Sequence, residues 1–439
     1  MKRIAFYTLG CKVNQADTAS MEVLFRQSGY MVVDFNEQAD IYLINTCVVT
    51  NIGQRKSRQM INRALRHTPK ALIVVTGCYP QTAAEELKAI KGIDVIVGNQ
   101  ERDRIVEIVE AAFHSNKNTE ISDNVQAITG ATVFEELEVG VGTRKTRGFL
   151  KIQEGCNQYC AYCIIPYARG PLSSRSIDSI RTEIERLVVA GYREVVLLGI
   201  HLGCYGKEQG NNITLCNAIE TALSVEGLER LRLGSLESIE IDDRILSIME
   251  HDKRLCRHLH LPLQAGCDEI LKAMKRPYAT NEFARLLVNI RHCVPDVAIT
   301  TDVIVGFPGE SEENFLAGME FISNQNFARI HVFPYSRRKG TPAAEMPLQI
   351  SNIIKQKRAS VLGKLAKQQK QDFIIKNIGR EEDVLFEQLS AGGYIEGLTG
   401  NYIRTIVRGS DGICGMIGRV KLIEAKEGIA VGELVGVCK

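Results

Sequence analysis

Cys156, Cys160 and Cys163 stand in the stretch Cys-Asn-Gln-Tyr-Cys-Ala-Tyr-Cys. This C-x3-C-x2-C spacing constrains the chain more than any other feature, because the loop that carries it must curl so that three sulfurs face one point. Three thiolates can hold three irons of a cubane 4Fe-4S cluster and leave the fourth iron without a protein ligand. An open coordination position can bind a small molecule. A zinc site would want a fourth ligand at recognisable spacing, and none follows nearby. A disulfide with a spare thiol does not suit a chain that reads as a resident of a reducing compartment.

That compartment follows from the bulk properties. The 13 cysteines are an odd number for a disulfide framework. The N-terminus opens Met-Lys-Arg but lacks the apolar core of a signal peptide, and no apolar run reaches transmembrane length. The expectation is a cytoplasmic protein with no membrane partner, whose thiols stay reduced and available to iron. The length of 439 residues allows two or three domains. Hydrophobic residues at 45% and charged residues at 24% are ordinary for a soluble protein. The formal net charge of +2 argues neither for nor against nucleic acid.

The expected fold class is α/β: a doubly wound N-terminal domain, a partial (βα) barrel and a small C-terminal β-barrel, over residues 1–115, 142–375 and 376–439. In the first domain, apolar runs at 4–9, 41–45, 71–76 and 95–97 read as buried strands separated by helix-period segments. The first three of these end at Cys11, Cys47 and Cys78. Ligands of doubly wound sheets bind beyond the carboxyl ends of the strands, so these thiols could converge as a second three-ligand set. Spacing alone leaves open the alternative of three buried structural cysteines. Residues 116–142 read as a linker. Strand candidates then recur at 195–198, 230–233, 258–261, 299–305 and 330–333, with helices at 177–190, 268–274 and 313–325. A basic helix is expected over 353–376, with Lys355, Lys357, Arg358, Lys364, Lys367 and Lys370. The last 63 residues show short strands and many glycines.

The Cys156–Cys163 radical-type motif together with Leu9-Gly-Cys-Lys-Val-Asn14, Leu261-Pro-Leu-Gln-Ala-Gly266, Val303-Ile-Val-Gly-Phe-Pro-Gly-Glu310 and Pro334-Tyr-Ser-Arg-Arg-Lys-Gly-Thr-Pro342 resembles the radical S-adenosylmethionine methylthiotransferases over essentially the whole chain. The resemblance implies two 4Fe-4S clusters, S-adenosyl-L-methionine as cofactor and a C-terminal TRAM domain. Cys11, Cys47 and Cys78 fall on the family's auxiliary-cluster ligands, while Cys156, Cys160 and Cys163 fall on those of the radical-generating cluster. The segment Gly-Cys-Lys-Val-Asn-Gln is similar to the branch that modifies threonylcarbamoyladenosine at position 37 of tRNA. Ala265, Arg337 and Lys339 depart from the family's pattern, at positions that are not cluster ligands.

In that scheme one cofactor molecule donates a methyl group to sulfur at the auxiliary cluster. Another yields a deoxyadenosyl radical that takes hydrogen from carbon 2 of the adenine. The resemblance also implies an electron donor such as flavodoxin. Tyr162 is expected beside the cofactor's adenine. Gly199 and His201, in Gly-Ile-His-Leu-Gly, are expected at its amino group, and Ser235, Glu237 and Gln264 at its ribose or amine. Val305, within 303–306, is expected against the adenine. Each also has a plainer reading as a core or loop residue.

The expected partner is the tRNA anticodon loop, bound by a monomer. Arg55, Lys56, Arg58, Arg63, Arg66 and Lys70 form a stretch without acids; Arg144, Lys145, Arg147 and Lys151 precede the radical motif. Either run could instead be a solvated face. The C-terminal region carries seven basic and nine acidic residues, which argues against a general electrostatic grip there. Strand alternation would put Tyr402, Arg404 and Arg408 on one face, suited to stacking and phosphate contact. Arg337 or Arg338 could clasp the substrate's threonyl carboxylate. Rival readings are a methylthiotransferase acting on isopentenyladenosine or on a ribosomal-protein aspartate, and an iron–sulfur RNA-binding regulator without catalysis.

Overall fold

The computed structural model describes residues 1–114, 121–128, 130, 133–141, 146–210, 212–390 and 392–437, without the side chains of Asn51 and Ile52. Arg144 and Lys145 lie outside the described residues, as does much of the stretch read as a linker.

The N-terminal strands β1 (Arg3–Thr8), β2 (Met31–Val33), β3 (Ile41–Thr46), β4 (Leu72–Gly77), β5 (Val95–Val97) and β6 (Ser122–Asn124) form one parallel sheet in the order β2-β1-β3-β4-β5-β6. Every residue of β3 and β4 is buried, as continuous apolar runs covered on both faces require. The edge strands β2 and β6 are three residues long, too short for a periodic signal. β6 also lies past residue 115, so the sheet reaches into the stretch read as a linker.

The central region adds β7 (Arg147–Lys151), the short antiparallel pair β8 (Gln153–Glu154) and β9 (Ser173–Ser174), then β10 (Glu194–Leu198), β11 (Arg230–Leu233), β12 (His258–His260), β13 (Ala298–Val305) and β14 (Arg329–Pro334). Two parallel sheets, β11-β10-β7 and β12-β13-β14, are joined by the bridges Leu231↔Leu255 and Ser235↔His260. The result is an open, six-stranded parallel wall, a partial barrel. One large apolar core fills it, from Val139 to Leu362. The helix Asn352–Lys376, capped by the Ser351 hydroxyl accepting from the Ile354 N–H, packs against β14 and leads into the last domain. Its basic residues do not share one wet face. Lys355 lies over the Tyr335 ring, and buried Arg358 is paired with Glu310 and Glu312, whereas Lys357, Lys364 and Lys367 are exposed.

The strands β15 (Glu381–Ser390), β16 (Tyr394–Thr399), β17 (Arg404–Arg408), β18 (Ile417–Lys426) and β19 (Ile429–Val437) close into a barrel in the order β15-β16-β17-β19-β18. Buried charge docks it on the central region. Glu194 is fully buried and binds Arg232 at 2.8 Å and Arg230 at 3.3 Å. The two guanidinium groups then donate to the backbone carbonyls of Asp383, Leu398, Thr399 and Gly400 in the barrel. Tyr402 belongs to this joint, which corrects the expectation of an outward stacking face. Its φ of +68° takes it out of strand register, so alternation begins only at Arg404. Its ring stacks on His258 at 4.3 Å, with Arg232 4.9 Å and Lys12 5.7 Å from its centre. Arg404 and Arg408 are exposed on β17, and Arg404 is paired with Glu396.

Burial opposes the charge on Glu194, but Arg232 and Arg230 outweigh it and hold the carboxyl at about 2. That lies below the ~4.3 of an unfolded chain. Its contribution is therefore complete above the unfolded value and is lost as the pH falls through about 2. Arg232→Met leaves Glu194 short of a partner and should cost about 3–5 kcal/mol, measured by chemical denaturation at neutral pH. Glu194→Gln should flatten the pH dependence of stability in the acid window. A wild-type acid limb in that variant would show that the pair does not set it.

Candidate cluster sites at the domain junction

β1, β3 and β4 are neighbours in the sheet, and the chain leaves their carboxyl ends at Cys11, Cys47 and Cys78. The register pairs Thr8 with Asn45 and Thr46 with Gly77, which brings the three cysteines to one sheet edge. Gly10 permits the closest approach: at φ +104°, a Cβ there would lie 3.2 Å from the Cys47 Sγ. Asn14 fastens two of the strand ends by donating to the carbonyls of Leu9 (2.9 Å) and Thr46 (3.0 Å). Cys47 and Cys78 are buried and Cys11 is exposed. Burial pushes the Cys47 thiol up to about 11. Although the residue is exposed, the protein packed around its sulfur raises the Cys11 thiol as well, against the charge of Arg169.

The loop 156–163 follows β8 and is held by backbone bonds from Cys156 to Gly170 and from Ala161 to Met274. Cys160 is buried; Cys156 and Cys163 are partly so. Burial raises the Cys163 thiol to about 12, and it raises Cys160 against the opposing charge of Arg276. Arg276, which no sequence signal marked, donates to the Cys160 Sγ at 3.2 Å and is paired with Glu237. The N–H of Gln158 points at the Cys156 Sγ from 3.4 Å. N–H donors aimed at sulfur are what anionic, iron-bound thiolates require. Together with the cradle at Gly10, they make both cysteine sets fit for clusters.

The other expected positions divide. Tyr162 packs, partly buried, against the central core. Gly199 lets the Gln153 side chain approach, and the Gln153 Oε1 accepts from the His201 N–H at 2.7 Å. The His201 Nδ1 lies 3.4 Å from the Cys156 Sγ, and its Nε2 lies 2.7 Å from Glu240. Ser235 bridges to β12, and Gln264, at φ +69°, continues the pairing of β13. Val305 is buried and its carbonyl accepts from the Tyr335 N–H. Arg338 is buried and donates to the carbonyl of Val48, next to Cys47, at 2.9 Å and to Gln54 at 3.3 Å. Its neighbour Arg337 is exposed, with Glu345 3.9 Å away.

The two cysteine sets are joined by a group the sequence did not reveal. The helix Ile165–Arg169 begins two residues after Cys163 and packs Ala168 into the N-terminal core. Arg169 then donates from Nε to the Cys78 Sγ (3.3 Å), from Nη1 to Glu154 (2.8 Å) and Asp17 (3.1 Å), and from Nη2 to the Asn14 Oδ1 (2.5 Å). Lys151 binds Asp17 at 2.6 Å and Glu154 at 2.9 Å, while Arg102 binds Asp17 at 2.8 Å and Glu135 at 2.6 Å. Lys151 was expected on a phosphate-facing surface; it is buried here. Opposite charges this close offset each other's desolvation only while the set is complete. Arg169→Met should therefore cost about 3–5 kcal/mol. It should also lower the iron content of anaerobically reconstituted protein toward that of one cluster. Full iron content in the folded variant would remove Arg169 from cluster support.

Residues 3–98 match the uncharacterized protein family UPF0004, and residues 150–322 match the radical SAM superfamily. The chain is 40% identical to the threonylcarbamoyladenosine tRNA methylthiotransferase MtaB of Bacillus subtilis, over 100% of this chain and 97% of the relative. It is 38% identical to the protein of that name from Aquifex aeolicus, over 86% and 91%. It is also 32% identical to a tRNA-2-methylthio-N(6)-dimethylallyladenosine synthase of Pelotomaculum thermopropionicum, over 97% and 96%. The fold is similar to that of TsrM, a radical S-adenosylmethionine methyltransferase from Kitasatospora setae. That match has a TM-score of 0.60 at 17% identity, over 78% of this chain and 77% of the other. The chain is an iron–sulfur, S-adenosylmethionine-dependent transferase, and it belongs to the radical S-adenosylmethionine methylthiotransferase family.

Proposed function

We propose that this chain methylthiolates carbon 2 of N6-threonylcarbamoyladenosine at position 37 of tRNA, with two 4Fe-4S clusters and two molecules of S-adenosylmethionine. The observation that carries the reading is the pair of three-cysteine sets at one domain junction, with Cys78 tied through Arg169 to the helix that follows Cys163. The names of the relatives at 40% and 38% identity favour the threonylcarbamoyl base. Those at 32% keep the dimethylallyl base as the second reading.

Cys156, Cys160 and Cys163 would hold the radical cluster, and Cys11, Cys47 and Cys78 the auxiliary one. When bound, the clusters and cofactor supply the electron, the hydrogen-abstracting radical and the methylthio sulfur. The protein's own part is to hold and orient. Arg276 and Arg169 each fix one thiolate, and Arg338 holds the loop after Cys47. Tyr162, Ser235, Glu237, Gln264 and Val305 would border the cofactor. With Arg338 committed to Val48, the exposed Arg337 is the residue for the threonyl carboxylate. For the anticodon loop, the basic face of the helix Asn51–His67, with Arg55, Lys56 and Arg66 exposed, offers phosphate contacts. The reading also takes a flavodoxin-like electron donor and a monomer acting in the cytoplasm.

Nucleoside mass spectrometry on reconstituted protein, with threonylcarbamoyl tRNA and dimethylallyl tRNA in parallel, tests the substrate. A methylthio product on the threonylcarbamoyl base alone is expected, and Arg337→Gln should reduce it. Product on the dimethylallyl base alone would move the assignment to the second reading. Cysteine variants test the division of labour. Alanine at Cys156, Cys160 or Cys163 should abolish both deoxyadenosine and methylthio product. Alanine at Cys11, Cys47 or Cys78 should abolish the product but leave deoxyadenosine formation. An active methylthiolating variant at any of the six would sink the two-cluster scheme.

A further inference from the structure

Two aromatic rings at the loop of Cys156, Cys160 and Cys163 are left half in solvent. Tyr159, just before Cys160, is 48% exposed, and Tyr167, on the helix that follows the loop, is 46% exposed. The rings meet edge to face, with centres 5.7 Å apart. Neither belongs to an apolar core, whereas Tyr162 and Tyr335 do. Both are held outward by their neighbours. Tyr167 lies on the helix Ile165–Arg169, where Pro166, Ala168 and Arg169 are all buried. Tyr159 sits at φ +48°, in the left-handed region that glycine or asparagine enters at less cost. The curl of the loop accounts for that backbone angle, but neither the curl nor packing accounts for an exposed tyrosine ring there.

The surroundings point to the occupant. The Ala343 N–H donates to the Ala161 carbonyl at 2.8 Å, and a Cβ on Gly340 would lie 4.0 Å from Ile164. The segment 337–343 therefore runs beside the loop, and it carries the exposed Arg337 and Lys339. Aromatic faces beside cations suit a nucleobase and its phosphate. The reaction gives a reason for such a base to be free. An adenine that must lie between two clusters has to leave the stack of the anticodon loop, and its departure uncovers the faces of its neighbours. We propose that Tyr159 and Tyr167 form a platform on which a base adjoining position 37 stacks once the target adenine has turned toward the clusters. The inference rests on the tRNA reading above. The rings are positioned before binding, so the contact forms with little further ordering.

The test is equilibrium binding of threonylcarbamoyl tRNA to the reconstituted full-length enzyme, with the intact RNA and with RNAs made abasic on either side of position 37. Tyr167→Ala should weaken binding of intact tRNA about tenfold, and Tyr167→Phe, which keeps the ring, should restore most of it. One of the abasic RNAs should bind the wild type more weakly by a similar factor, and Tyr167→Ala should lose nothing further with that RNA. Wild-type affinity in Tyr167→Ala would overturn the inference, and so would losses that multiply with both abasic RNAs. Tyr159→Ala should behave as Tyr167→Ala does in a preparation with full iron content; if it does not load, the Tyr167 variants decide. A drop confined to deoxyadenosine formed with flavodoxin as reductant, with tRNA affinity intact, would assign the rings to the electron donor and overturn the inference as well. A wild-type enzyme that binds no tRNA would refute the tRNA reading itself, and is distinguishable from all of these.

Discussion

The buried charge cluster of Asp17, Arg102, Lys151, Glu154 and Arg169 is the constraint on which the rest depends. Asp17 and Arg102 come from the N-terminal domain; Lys151, Glu154 and Arg169 belong to the central one. Each charge is away from water, and the pairs of Asp17 with Lys151 and Arg169 and of Arg102 with Glu154 cross from one domain to the other. The two domains therefore have one low-energy docking, and that docking sets how the sheet edge bearing Cys11, Cys47 and Cys78 faces the loop bearing Cys156, Cys160 and Cys163. An apolar interface would hold the domains together with less control of their register, since apolar contact is not directional.

A second joint of the same kind holds the barrel. Glu194 positions Arg230 and Arg232, and those two cap carbonyls of the barrel. Lys12, one residue past Cys11, lies near the Tyr402 ring, so all three domains meet close to the auxiliary cysteines. The sulfurs have neighbours of a common kind. Arg169 donates to Cys78, Arg276 donates to Cys160, and His201 lies 3.4 Å from Cys156. The arginines are paired with carboxylates, and so is the histidine. Cationic groups beside these sulfurs are tolerable in a dry interior because those carboxylates neutralise them.

What could be read from the chain was local. Strands such as β3 and β10 are continuous apolar runs, and the helix Asn352–Lys376 carries its own start signal at Ser351. β5, three residues long, was legible as the buried run Val-Ile-Val, whereas the equally short edge strands β2 and β6 escaped because one is half exposed and the other is Ser-Asp-Asn. Tyr402 was misread because alternation was carried one turn too far, across a residue whose positive φ breaks it. Arg169, Arg276 and Glu240 gave no signal, since a single charged residue in sequence looks the same whether it meets water or a buried partner.

The sequence by itself determined the order of domains and marked the tight loop of Cys156, Cys160 and Cys163, whose spacing needs only local geometry to interpret. For Cys11, Cys47 and Cys78 spacing left buried structural cysteines open, and the resemblance to the family supplied the expectation of cluster ligands. The tertiary structure decided which charges face those thiols and which arginines remain free for a substrate. Arg338 and Arg337 are adjacent in the chain, yet one is spent on the Val48 carbonyl and the other stands in solvent. Partners of that kind come from distant segments, and only the packed chain brings them within hydrogen-bond distance.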